Sequence, residues 1–286
     1  MTVLATGFER LVLDAGPVRF SALACGNPAD PLMLCLHGMP ASSEIWREIL
    51  PLLASSGRRV VAPDLAGFGA TRYAAGWRPT LAANADALCG WVSSTPQRRA
   101  WWVGHDLGGA VAQLALIKRP DTIIRMTLSN CPHGVSFPVP AVARLRALAR
   151  WGLYPLLARS GLMAGRRSTA AIRAAFADRS KLTAELAQRV FWDQKVSSPE
   201  GRTAFAAFLS NLDEQTFARE TADLTCGPAP IQLVWGMRDR YQPWHPVGEG
   251  LARQLGTASI VALDHCGHFG PIEVPEDFAA ALLDFQ

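Results

Sequence analysis

Gly104-His105-Asp106-Leu107-Gly108-Gly109 is the stretch on which the reading of this chain turns. It follows a short apolar strand, Ala100-Trp101-Trp102-Val103, and leads into a helix-like run from Gly109 to Arg119. A strand, a tight turn made passable by glycines and a helix form an elbow that lifts the central side chain out of a sheet. A serine in such an elbow points to acyl transfer. A carboxylate points to attack on an electrophilic carbon bearing a leaving group, through a covalent ester.

On the amino-terminal side of the elbow, strands and helices alternate. Leu11–Leu13 and Val18–Leu23 read as a hairpin, and Leu32–Leu36 is a continuous apolar run suited to a parallel strand covered on both faces. Ser43–Leu53 reads as a helix with Ile45, Ile49, Leu50 and Leu53 on one face. Arg59–Ala62 reads as a strand, followed by a turn from Pro63 to Gly69 and a helix from Leu81 to Val92. Beyond the elbow helix, Ile123–Leu128 is a further strand. From Pro132 to about Leu224 strand-like runs vanish and Ala, Leu and Arg dominate, as in Ala141–Leu157 and Ser168–Ala177. Alternation then resumes with strand Ile231–Trp235, helix Val247–Leu255, strand Ser259–Leu263 and helix Pro275–Leu283. The order predicts an α/β fold: a mostly parallel central sheet with right-handed crossovers, flanked by helices and interrupted by a helical insertion. The expected division is a core of residues 1–131 and 225–286 with a helical cap at 132–224.

A chain of 286 residues can bury a full core. No lysine-rich tract or basic–aromatic pattern points to nucleic acid. Apolar runs are strand-length, short of the ~20 residues a membrane span needs. Met1–Glu9 lacks the basic start and apolar core of a signal peptide, so a cytoplasmic location is expected. The cysteines at 25, 35, 89, 131, 226 and 266 show no CxxC pairing, which indicates neither a zinc site nor a disulfide framework. Cys35 and Cys89 read as small hydrophobes, and Cys266 as a loop residue. Between His133 and Gln215 stand 12 Lys/Arg against 6 Asp/Glu, although the whole chain carries only +4. That surplus suits either an anionic or electron-rich substrate, or solvated outer faces for Arg144, Arg146 and Arg150.

An elbow carboxylate needs a histidine to activate water and an acid to orient that histidine. His268, in Asp264-His265-Cys266-Gly267-His268-Phe269, follows a predicted strand. Asp239, in Gly236-Met237-Arg238-Asp239, follows another. The chain order of central residue, acid and histidine is the one this elbow fold uses. His37-Gly38-Met39-Pro40 ends the earlier apolar strand, where the N–H of Met39 would pair with that of Leu107 as an oxyanion hole. The candidate substrate contacts are His37, His105, Tyr154, Trp192 and Tyr241.

These motifs together resemble the α/β-hydrolase superfamily with a cap. Gly104-His105-Asp106 is similar to its epoxide hydrolase and haloalkane dehalogenase branch. The resemblance runs through the sheet part and is weak across the insertion. It implies an Asp106–His268–Asp239 triad, an alkyl-ester intermediate, and no metal or organic cofactor. Halide release in that branch generally uses a tryptophan after the nucleophile, where this chain has Leu107; a subset also has asparagine where Met39 stands. Fluoroacetate-type enzymes place arginines there, where this chain has Leu107 to Ala110. Epoxide opening uses a pair of cap tyrosines; Tyr154 stands where the first is expected, and the second position, near Phe205 and Phe208, has none. Trp192 and Trp151 are the other N–H donors in the cap. Epoxide hydrolysis is therefore the leading expectation. Haloalkane or haloacid dehalogenation, another hydrolytic or lyase-like reaction, and a silent ligand-binding relative are the alternatives. The expected partner is a small, apolar molecule, with Leu153, Leu156, Leu162 and Met163 as candidate cavity lining; a homodimer is compatible with the sequence and not required by it.

Overall fold

The computed structural model describes residues 2–3, 7–160, 166–192, 198–256 and 259–285. Among the described residues ten strands form one sheet: β1 (Thr2–Val3), β2 (Glu9–Ala15), β3 (Val18–Cys25), β4 (Leu32–Leu36), β5 (Arg59–Pro63), β6 (Arg72–Tyr73), β7 (Ala100–His105), β8 (Ile123–Ser129), β9 (Ile231–Gly236) and β10 (Ser259–Leu263). Their spatial order is β1-β2-β3-β5-β4-β7-β8-β9-β10, with β6 paired to β3. Pairings among β1, β2, β3, β5 and β6 that involve β2 or β3 are antiparallel, and those from β5 through β4, β7, β8 and β9 to β10 are parallel. The expected α/β fold with a mostly parallel central sheet is the one observed.

The parallel strands are apolar throughout because helices cover both faces. In β7 the two indoles alternate: Trp101 packs into the cluster holding Trp46, Phe191 and Phe278, whereas Trp102 joins the cluster holding Leu88, Val111 and Leu114 on the other face. Each indole N–H is satisfied, Trp101 by the Thr127 hydroxyl and Trp102 by the Thr122 carbonyl.

The helices of the sheet part are α1 (Leu50–Ala54), α2 (Leu81–Ser94) and α3 (Leu107–Lys118). Between β8 and β9 every described element is helical: α4 (Pro140–Arg150), α5 (Tyr154–Arg159), α6 (Arg166–Arg173), α7 (Ala184–Ala187), α8 (Pro199–Asn211) and α9 (Glu214–Glu220), with short 3-10 and π turns among them. Then come α10 (Glu249–Leu255), α11 (Gly270–Glu273) and α12 (Pro275–Leu283).

Several boundaries differ from expectation. The helix expected over Ser43–Leu53 is a 3-10 turn at Ser43–Trp46 followed by α1. Pro51 has no N–H for a continuous helix, but its place in the first turn of α1 costs nothing. Ala141–Leu157 is two helices, broken at Gly152, whose φ is 70°. The run expected over Ser168–Ala177 is α6, which ends at Arg173. A π turn at Trp244–Gly248 precedes α10 where one helix from Val247 was expected. Helix α3 starts at Leu107, two residues early, because Gly108 and Gly109 continue the helix rather than loosen the turn.

Candidate active site

The elbow is the junction of β7 and α3. Asp106 has φ 50° and ψ −124°, a region that costs a non-glycine residue roughly 1–3 kcal/mol. The surrounding contacts hold it there. Its N–H donates to the Ser129 carbonyl at 3.1 Å, and its carbonyl accepts from the N–H groups of Gly109 and Ala110. A Cβ at position 108 would lie 2.3 Å from the Leu36 carbonyl oxygen, so only glycine lets α3 start this close to β4. Gly38 answers a similar constraint, since a Cβ there would stand 2.3 Å from Oδ2 of Asp106. That bare approach lets the Met39 N–H donate to Oδ2 at 2.7 Å. The Leu107 N–H donates to the same carboxylate.

The other Asp106 oxygen, Oδ1, lies 4.0 Å from Nε2 of His268. This is too long for a direct hydrogen bond and leaves Nε2 available to a group between them. His268 Nδ1 is 2.7 Å from Oδ2 of Asp239. The Asp239 carboxylate is fully engaged: Oδ2 also accepts from Asn130 Nδ2 at 2.8 Å, and Oδ1 accepts from the Tyr241 N–H at 2.7 Å. The Gln242 N–H donates to it as well. Asn130 is a residue that sequence reasoning missed. Its φ is 42°, its side-chain oxygen accepts from the Gly236 N–H at 2.9 Å, and it ties the end of β8 to the end of β9.

The His268 backbone is pinned from two sides. Its N–H donates to the Ala175 carbonyl at 2.8 Å, and its carbonyl accepts from Nε2 of His105 at 2.8 Å. Glu273, also missed, lies beneath this loop. Its Oε1 accepts the N–H groups of Ala177, Asp178 and Gly267, which joins the helical segment to the histidine loop.

Charge follows from these partners. Burial pushes the Asp106 carboxyl up, against the opposing pull of His268 and of the Met39 and Leu107 N–H groups. Burial alone would lower His268, but Asp239, and then Asp106 and Glu273, outweigh it, so its imidazolium is favoured beyond the ordinary histidine range. Burial works against the Asp239 carboxylate, yet His268 and the Tyr241 and Gln242 N–H groups hold it below the usual range.

A cavity of about 340 Å³ opens over Asp106, Met39, Leu107 and His268. Its far wall comes from the helical segment and includes Phe137, Leu145, Tyr154, Trp192, Phe205 and Leu212. Three of the five expected substrate contacts, Tyr154, Trp192 and Tyr241, line it. Tyr154 is 2% exposed and makes no hydrogen bond through its hydroxyl to the described residues; burial raises that phenol. The Trp192 N–H is buried and likewise has no partner among the described residues. Tyr241 differs, because its hydroxyl donates to the Ala171 carbonyl at 2.8 Å.

His37 and His105 do not line the cavity, which corrects the expectation for both. His37 Nε2 accepts from the Leu65 N–H at 2.9 Å, and Nδ1 lies 2.9 Å from the Gly38 carbonyl, so its ring braces two strand-end turns. His105 points beneath the elbow toward His268, and burial drives it down to about 3, which keeps it neutral. Three further corrections concern the helical segment: Trp151, Leu153 and Leu156 are 74%, 42% and 66% exposed, so they are not cavity lining. Leu162 and Met163 lie outside the described residues. Cys266 lies in the loop after β10, as expected, and is buried there, which raises its thiol. Among the described residues no helix is long and apolar enough to cross a membrane.

A mostly parallel sheet with an elbow at the end of a central strand, an acid after β9 and a histidine after β10 defines a class of protein. The chain belongs to the α/β-hydrolase fold family, whose model matches residues 31–275. It is 31% identical over 145 residues to epoxide hydrolase A of Mycobacterium tuberculosis, a match spanning 49% of this chain and 43% of that protein. It is 28% identical over 290 residues to 2-hydroxymuconate semialdehyde hydrolase of Pseudomonas putida, covering 99% of this chain and 92% of that one. The structure of the epoxide hydrolase CorEH superposes with a TM-score of 0.78 at 21% identity, over 97% of this chain and 98% of that one, a likeness of fold.

Proposed function

We propose that this hydrolase opens epoxides to diols through an ester on Asp106, with residues 132–224 acting as a cap over the site. The observation that carries this reading is the position of the Asp106 carboxylate. Its Oδ2 already sits at 2.7 Å from the Met39 N–H, where a developing oxyanion is stabilised. Oδ1 is the oxygen left to attack. The Met39 N–H is thus aimed at the aspartate's own carbonyl, the group that water must attack once the ester has formed.

In the first step Oδ1 forms a bond to a ring carbon and the ring C–O bond breaks. The alkoxide takes a proton from the Tyr154 hydroxyl; an alkoxide is far more basic than a phenolate, so the transfer is downhill even from a raised phenol. The Trp192 N–H supplies a second hydrogen bond to the same oxygen. In the second step His268 Nε2, oriented by Asp239, removes a proton from water, and the hydroxide adds to the ester carbonyl. The negative charge falls on Oδ2, where the Met39 and Leu107 N–H groups contribute on the order of 3 kcal/mol each. Collapse releases the diol and restores Asp106 with one oxygen from water; Tyr154 regains its proton from His268 through solvent.

A second reading has one observation in its favour: the unpartnered Trp192 N–H would hold a departing halide as well as an alkoxide. A panel of styrene-type epoxides and short haloalkanes, with diol and halide release both measured, separates the two. Diol formation alone supports epoxide opening, halide release alone transfers the same machinery to dehalogenation, and neither product from any member overturns both.

A further inference from the structure

We infer that the substrate is an anionic amphiphile: an apolar body with the electrophilic carbon at one end, and at the other a carboxylate that Arg144 holds at the cavity mouth. The inference takes its reactive end from the proposed role of Asp106, but the head-group contact stands on separate observations.

The exposed members of the cavity lining are Ala141, Arg144 and Ala171, which places the mouth between α4 and α6. Buried members, from Tyr154 and Phe205 to Asp106 and His268, form the interior. The charge-bearing side chains on the lining are therefore Asp106 and His268 at the floor and Arg144 at the rim.

The arginines of α4 are not equivalent. Arg146 is paired with Glu214, and Arg150 donates to the Ser210 carbonyl. Arg144 has no ion pair or hydrogen bond among the described residues, and it shares the lining with its helix neighbours Ala141, Val142 and Leu145. A guanidinium left without a partner beside an apolar opening is a donor fork for a planar oxyanion. Arg144 is the one guanidinium among the described lining residues, and a single such cation at the mouth balances one negative charge, which favours a carboxylate over a dianionic phosphate.

The same arrangement sets orientation. A charged head cannot enter the apolar interior at acceptable cost, so it stays at the rim and sends the apolar end toward Asp106. Repulsion from the Asp106 carboxylate acts in the same sense, and the positive surplus of the helical segment attracts an anion from solution.

Calorimetric binding of undecanoate and of undecanamide to the wild type and to Arg144→Gln tests the head-group contact without turnover. The expected result is roughly tenfold tighter binding of the carboxylate by the wild type, with that preference lost and the amide affinity unchanged in the variant. Equal affinity for acid and amide in the wild type, or a preference that survives Arg144→Gln, overturns the inference. A kinetic arm uses 10,11-epoxyundecanoate and its methyl ester. A rise in KM at constant kcat for the acid alone in Arg144→Gln supports the contact; equal effects on acid and ester contradict it. Turnover of neither epoxide, with the binding preference intact, sinks the epoxide reading and leaves the head-group contact supported.

Discussion

The two walls of the cavity treat their polar groups in opposite ways. On the sheet side the two carboxylates are held by fixed donors: Asp239 accepts from His268, Asn130, Tyr241 and Gln242, and Asp106 Oδ2 from Met39, while Asp106 Oδ1 and His268 Nε2 stand 4.0 Å apart. On the helical side Tyr154, Trp192 and Arg144 line the same space, and their polar groups have no hydrogen-bond partner among the described residues. Of these, the Trp192 N–H is buried without a partner, at a cost of about 1–3 kcal/mol that a hydrogen-bonding ligand would remove. The comparison teaches a division of labour. Under the proposed function the sheet side carries the reaction centre, and the helical segment carries the groups that select what reacts there.

The division can be broken most severely at Asp106. Asp106→Asn removes the attacking oxygen, and turnover should fall by roughly 10⁴-fold or more while the fold is kept. Steady-state product formation alongside a thermal melt checks both halves. Retained turnover would place the chemistry on another residue.

Next in size is His268. With this base replaced, as in His268→Gln, hydrolysis should slow by about 10³-fold or more while alkylation continues, so that ester accumulates. The wild type should show the same separation with pH. The neighbouring carboxylates raise the His268 pKa above the ordinary histidine value of 6.5, so on the acid side of its midpoint the imidazolium cannot take a proton from water, whereas an ionised Asp106 can still attack carbon. Ester formation therefore persists on that acid side while its hydrolysis stops, and kcat rises with pH through a midpoint above 6.5. Rapid-quench measurements that found no ester below the midpoint would contradict this.

The helical side should respond differently. Tyr154→Phe is expected to lower kcat by about 10- to 100-fold for epoxides whose leaving oxygen needs a proton, and much less for activated haloalkanes. Equal losses on both substrate types would remove Tyr154 from proton donation. Asn130→Ala should cost roughly tenfold, mainly in kcat, by loosening Asp239 and lowering the pH midpoint; an unchanged pH profile would reduce Asn130 to a packing role. The smallest effect belongs to Tyr241→Phe. Its hydroxyl is spent on the Ala171 carbonyl, so a change of less than about threefold is expected, and a large one would blur the two-wall contrast.

The same contrast explains what was legible in the sequence. The parallel strands announced themselves because burial on both faces leaves uninterrupted apolar runs such as Leu32–Leu36. Asp106, Asp239 and His268 stood out because each ends such a run or follows it in a turn. In the helical segment a 3.6-residue period shows that a helix has an apolar face, but not which cavity or neighbour that face meets. Leu153 and Leu156 were therefore expected inside and lie outside, whereas Phe137 and Leu212 line the cavity without a sequence signal. Asn130 was findable in principle, as a polar residue immediately after the strand beside the elbow. Glu273 was not, since its three N–H donors come from positions nearly a hundred residues away and from its own loop. His37 and His105 misled because histidines next to an elbow look reactive, while both His37 ring nitrogens and Nε2 of His105 serve the backbone.

The most direct test of the central claim is mass spectrometry of His268→Gln after exposure to styrene oxide. The account predicts an adduct of one substrate mass, confined to the peptide carrying Asp106 and released by mild base. An adduct on another residue, or no adduct while the wild type forms diol, would contradict it.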